Sequence, residues 1–111
     1  MKLGRLGHTA MYNKQDNAVY IFGGQQELLG ASGATNSVRD LQNDLWKLEL
    51  NTGLYEKVDL PNSGAIARRI YATGFMISQY FFILGGMGFD GVCLNDVLMF
   101  DTERKSCKIL D

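Results

Sequence analysis

Short apolar runs separated by glycine-containing turns dominate this chain. Val19-Tyr20-Ile21-Phe22 and Phe81-Phe82-Ile83-Leu84 are apolar at consecutive positions. A strand with one wet face alternates apolar and polar residues, so these runs predict strands covered on both faces. Leu45-Trp46-Lys47-Leu48-Glu49 and Val97-Leu98-Met99-Phe100-Asp101 also place apolar side chains on both faces, with Lys47 and Glu49 as the exceptions. The pattern predicts eight strands, over 8–12, 18–22, 45–50, 54–58, 72–77, 80–84, 97–101 and 107–110. No apolar run approaches the roughly 20 residues of a membrane span. Met1-Lys2-Leu3-Gly4-Arg5 lacks the apolar stretch of a secretion signal.

The eight strands fall into two copies of one unit, residues 5–58 and 69–110. Arg5-Leu6-Gly7-His8-Thr9-Ala10 aligns with Arg69-Ile70-Tyr71-Ala72-Thr73-Gly74. The second strands end in paired glycines, Gly23-Gly24 and Gly85-Gly86. The third strands open with Asn43-Asp44 and Asn95-Asp96, and Tyr55 and Cys107 each follow their Asp by eleven residues. Copy one is two residues longer between 12 and 18 and ten longer between the glycines and Asp. Conserving strand length while varying loops is what surface connections permit.

Arginine, then Gly-Gly after an apolar strand, then Asn-Asp-Leu-Trp, then an aromatic resembles the kelch repeat, a unit of about 50 residues. The resemblance covers nearly the whole chain. It departs in the last strand, where a kelch unit usually carries Trp and Tyr55 and Cys107 stand here. It implies an all-β fold: two four-stranded antiparallel kelch-type β-propeller blades, divided at 1–60 and 61–111, in an incomplete ring. Gly23, Gly24, Gly85 and Gly86 are expected where the chain turns with positive φ or passes close to a neighbour. Asn43, Asp44, Asn95 and Asp96 are expected to bond backbone amides at the start of the third strand. Trp46 is expected to bury area while its indole N–H finds a partner.

Composition narrows the function. The net charge is −1, so a dedicated nucleic-acid surface is not expected. The two cysteines form no framework and read as reduced, buried thiols of a cytoplasmic protein, with a disulfide as the alternative, and the resemblance to kelch-like proteins leaves cytoskeletal or ciliary association open. Gly86-Met87-Gly88-Phe89-Asp90-Gly91 fits a dinucleotide fingerprint, but no helix follows to hold a pyrophosphate, so a glycine-rich turn is expected. His8 is the only histidine and reads as structural, and Asp40 with Asp44 reads as a solvated pair at a strand start. No cofactor, metal or catalytic set is expected from these residues. The alternative is part of a kelch-propeller enzyme whose metal or catalytic residues lie in blades outside this chain.

Up-and-down strands put residue 5 and the segments 25–42, 61–69 and 87–94 on one face. A non-catalytic scaffold or adaptor would bind a protein partner there. Candidate partner-binding residues are Arg5, Arg69, Gln25, Gln26, Leu28, Leu29, Arg39, Met87, Phe89 and Asp90. In kelch proteins that this chain resembles, arginines at the places of Arg5 and Arg69 line a central pocket, where a guanidinium can grip an acidic group bidentately. A structural role, bonded to carbonyls of the neighbouring blade, is the other reading. Two blades cover only two of their four faces, so further blades are expected as partners, from the same polypeptide or from other copies.

Overall fold

The computed structural model describes residues 5–26 and 40–110, and within them the protein is all-β. In chain order the strands are β1 (Arg5–Leu6), β2 (Thr9–Asn13), β3 (Ala18–Phe22), β4 (Gln25–Gln26), β5 (Asp40–Leu41), β6 (Leu45–Glu49), β7 (Leu54–Val58), β8 (Thr73–Ile77), β9 (Tyr80–Leu84), β10 (Val97–Asp101) and β11 (Ser106–Leu110). A single 3-10 turn, Ser63–Ala65, lies in the connection between β7 and β8. Among the described residues no helix is long and apolar enough to cross a membrane.

β2-β3-β6-β7 and β8-β9-β10-β11 form two four-stranded antiparallel sheets, each an up-and-down blade. Thr9, Phe22, Leu45 and Val58 pair across one end of blade 1, and Thr73, Leu84, Val97 and Leu110 across the same end of blade 2. The eight predicted strands are all present, with ends displaced by at most one residue. β2 runs on to Asn13 because that residue pairs with Ala18 before its side-chain Oδ1 accepts the Gln15 amide at 2.8 Å to start the turn. Leu50 falls in the turn that follows β6, which Gly53 N closes by donating to Glu49 O at 2.8 Å. The two extra residues of copy one lie in the β2–β3 turn, which spans 14–17 against 78–79 in blade 2.

The blades stack face to face. Tyr20 and Phe22 of β3, Phe81 and Ile83 of β9, and Leu98 and Phe100 of β10 form the buried layer, joined by Leu60 and Ile66 from the inter-blade connection. Phe100 lies 5.0 Å from Phe22 and 6.1 Å from Phe81 between ring centroids, in tilted geometries. Each such side chain taken fully out of water contributes about 1.5–3 kcal/mol. Among the described residues only one face of each blade has a second sheet against it, where the apolar runs predict both faces covered: in β9, Phe82 is half-buried and Leu84 is 39% exposed. β2 and β8 come close because Gly74 has no side chain: a Cβ there would sit 2.5 Å from Thr9 Oγ1 and 2.9 Å from Phe81. Polar ties close the far end, where Asn13 Nδ2 donates to Ser78 O at 3.2 Å and Gln15 Nε2 to Ser78 Oγ at 3.0 Å.

Two smaller features were not read from the sequence. β1-β4-β5 make a three-stranded sheet above blade 1. Ile70, Met87 and Cys93 repeat it above blade 2 through two isolated bridges. Two-residue strands carry too short a pattern to be recognised from periodicity.

The close approach at Gly74 makes a direct prediction. Gly74→Val should destabilise the chain by about 1–3 kcal/mol through forced separation of β2 and β8. Thermal unfolding followed by circular dichroism would register this as a lower midpoint, and an unchanged midpoint would contradict the packing described.

Candidate functional site

Every long connection ends on the face defined by Thr9, Phe22, Leu45 and Val58, as the up-and-down order requires. What holds those connections in place is a pair of matching arginine–aspartate forks. Arg5 Nη1 and Nη2 donate to Asp44 Oδ1 and Oδ2 at 2.5 and 2.7 Å, and Nη1 also donates to Gly23 O at 3.1 Å. Arg69 Nη1 and Nη2 donate to Asp96 Oδ1 and Oδ2 at 2.5 and 2.8 Å, Nη1 also to Gly85 O at 3.0 Å, and Nε to Ala67 O at 3.0 Å. Each fork ties the start of a repeat to the two ends of its second-to-third-strand connection. The glycines make this possible: Gly23, Gly24, Gly85 and Gly86 have φ of 69°, 93°, 62° and 102°. That backbone turns the carbonyls of Gly23 and Gly85 back toward the guanidinium, in a region that side chains with a Cβ rarely adopt.

The forks correct three expectations. Arg5 and Arg69 do not present their charge to a partner, since their side chains are only 5% and 1% exposed and bound internally. Asp44 and Asp96 serve the arginines rather than chiefly backbone amides, and Asp44 is no member of a solvated pair with Asp40. Burial pushes the Asp44 carboxyl up, but hydrogen bonds from Arg5 and Trp46 and the guanidinium charge outweigh it and hold it below the usual carboxylate range. Hydrogen bonding by Arg69, ahead of an opposing burial effect, lowers Asp96 likewise. Trp46 finds its expected partner, donating from Nε1 to Asp44 at 2.8 Å. Asn43 Nδ2 reaches out of its blade instead of capping the strand, donating to Ser63 O at 3.0 Å and Ile66 O at 2.9 Å. Asn95 is exposed.

Arg69 also joins the blades through its backbone. Gly24 N donates to Arg69 O at 2.9 Å and Arg69 N to Gln42 O at 3.2 Å. Side chain and main chain of this residue thus connect blade 2 to the loop bases of blade 1. Tyr55, by contrast, is exposed at the edge of its sheet, while its counterpart Cys107 is buried. Burial pushes the Cys107 thiol up to about 11, so it is inert at neutral pH. Cys93 is exposed, and the two thiols are unpaired. His8, expected to be structural, precedes β2 and is exposed.

Between the loop bases lies a cavity of about 540 Å³, lined by Asp40, Leu41, Ala67, Arg68, Gly88, Phe89, Asp90 and Leu94. Phe89 and Asp90 were singled out in the sequence. Phe89 is 76% exposed, and Asp90 shapes the turn by accepting the Val92 amide at 3.1 Å. Gly91 N donates to Gly88 O at 3.0 Å, and the segment is the expected glycine-rich turn, with no helix following it. Arg68, not picked out from the sequence beside Arg69, donates from Nη1 to Leu41 O at 3.1 Å and lies on both this cavity and a smaller groove of about 260 Å³ beside Asn43 and Lys57. The adjacent arginines have opposite fates, one buried and one exposed, and only the folded connection distinguishes them. Leu6, Tyr71 and Val92 are further exposed apolar residues near this face.

Gln25 and Gln26 form β4, and Met87 is its equivalent in blade 2. Gln26 pairs with Asp40, so the ends of the 27–39 insertion are brought together above blade 1. Leu28, Leu29 and Arg39 lie outside the described residues. Among the described residues no group of three or more His, Cys, Asp or Glu could hold a metal. No protein-family model matches the chain, and comparison with curated proteins finds no match.

Removing one partner of a buried ion pair typically costs about 3–5 kcal/mol, and Arg69→Met should approach the lower end because Asp96 keeps some solvent contact. The pH dependence has a definite sign. Asp44 and Asp96 are depressed in the folded chain, so their stabilisation is present above the ordinary carboxylate value and is lost as pH falls through their folded values. Urea midpoints should therefore decline on acidification, and Asp96→Asn should flatten that decline while lowering the midpoint at neutral pH.

Proposed function

We propose that this chain is a non-catalytic protein-interaction unit of the kelch-repeat class, which binds a polypeptide segment on the face formed by the inter-blade and second-to-third-strand connections. The observation that carries this reading is the cavity between 40–41, 67–68 and 88–94. Rigid loop bases frame it, and an unpacked aromatic stands at its edge. Its lining mixes Leu41, Leu94 and Phe89 with the charges of Asp40, Asp90 and Arg68. A few polar groups among apolar ones suit a peptide side chain with its flanking backbone. Burying an exposed aromatic in an interface is also a common source of binding energy.

The forks support this reading indirectly. A binding loop must keep its shape without its ligand if ordering costs are to stay small. Arg5 and Arg69 supply that rigidity from below, so they act on binding by positioning loops. The unpaired thiols of Cys93 and Cys107 accord with an intracellular, cytoplasmic setting.

Panning a displayed peptide library against the chain tests the reading. Selected peptides should lose at least about tenfold in affinity, some 1.4 kcal/mol, on Phe89→Ser or Arg68→Glu. They should keep it on Glu103→Ala at the opposite end of blade 2. Peptides insensitive to both loop substitutions, or none selected by a folded chain, would refute the assignment of this face.

A further inference from the structure

Among the described residues one face of each blade has no second sheet against it, and these two open faces are not alike. Strand pairing places Phe75, Phe82 and Met99 of blade 2 at the positions held by Met11, Tyr20 and Lys47 in blade 1. The open face of blade 2 is thus the counterpart of the blade 1 face that blade 2 already covers. By the same register, Val19, Ile21, Trp46 and Leu48 on the other face of blade 1 stand where Phe81, Ile83, Leu98 and Phe100 stand in the covering face; Val19, Trp46 and Leu48 are half-buried there and Ile21 is 7% exposed. Every molecule therefore carries both halves of a second contact of this kind, with Ala10 at the place of Gly74, so that its Cβ requires Thr73 to turn aside or the strands to stand further apart than β2 and β8 do.

The open half is also greasier than its covered counterpart. Ile77 replaces the buried Asn13, and Met99 replaces Lys47. Phe75 and Phe82 stack with centroids 4.9 Å apart and planes 11° apart, and Phe75 and Ile77 remain 38% and 57% exposed. Contiguous apolar surface of this sort marks an interaction site. The one charge that the equivalence introduces, Lys57 in place of Ile109, lies on the edge strand β7, from which a long side chain can reach water.

We propose that a second copy of this chain covers the open face of blade 2, seating the Val19, Ile21, Trp46 and Leu48 side of its own blade 1 on Phe75, Phe82 and Met99. The contact repeats the inter-blade packing within one chain and is head-to-tail, so successive copies form a closed ring or an open filament. It uses the flanks of the blades and is independent of the loop-face reading.

Sedimentation of the full chain over a range of concentrations tests this. The wild type should assemble beyond a monomer, and Trp46, the only tryptophan, should shift its emission to the blue as it is buried. Phe82→Glu and Leu48→Glu each block one half, so each variant alone should be monomeric. An equimolar mixture should form a one-to-one dimer through the two intact halves. Circular dichroism establishes that each variant is folded, and Met99→Lys, which copies the natural Lys47, replaces Phe82→Glu if that variant unfolds. A folded wild-type monomer would overturn the proposal and leave these faces to another polypeptide. So would a Leu48→Glu variant that still self-associates, or assembly unaffected by either substitution.

Discussion

Phe22, Phe81 and Phe100 meet between two small sheets that would otherwise leave their central strands in water. A four-stranded sheet has too little area to fold back on itself, so apolar side chains on its face are buried only where another layer of chain packs on them. Everything else follows from that stacking. Gly74 is where the inner strands must touch, Asn13 and Gln15 tie the far end, and Leu60 and Ile66 fill the near end from the connection. At the far end Tyr20 donates its hydroxyl to Asp16 at 2.5 Å, and burial with the neighbouring carboxylate pushes the tyrosine's pKa up, so it stays a neutral donor.

The forks convert that stacked core into a shaped surface. Bidentate guanidinium–carboxylate bonds are directional as well as strong, and each is supplemented by a glycine carbonyl that only a left-handed turn can aim. The loops above the blades are therefore anchored at their bases. This arrangement places the geometry that the two repeats share beneath the surface, and Arg68, Phe89 and Asp90 upon it. Two different surfaces result: a mixed polar and apolar face built from loops, and apolar flanks.

Much of this was legible in the chain because the signals are local. Consecutive apolar residues in 19–22 and 81–84 report a central strand with apolar side chains on both faces, of which the stacked blades cover one. Paired glycines report the turn that ends it, and spacing in two registers reports the repeat. The shared loop face followed from strand alternation alone. The fate of individual polar side chains did not follow. Arg5 and Arg69 looked equally suited to a pocket or to the interior, because a guanidinium's partner depends on which carboxylate folding brings within reach. Asp44 and Asp96 lie 39 and 27 residues from their arginines, a separation that no local pattern encodes.

The sequence by itself determined the all-β class, the eight blade strands and their division into two units, since each rests on backbone periodicity and turn chemistry within a few neighbouring residues. Only the tertiary structure decided that Arg69 is buried while Arg68 is exposed, that Asp40 lines a cavity while Asp44 closes a fork, and that β1-β4-β5 exist at all. Those outcomes depend on groups far apart in the chain meeting at hydrogen-bond distance, and that distance is set by how the two sheets stack.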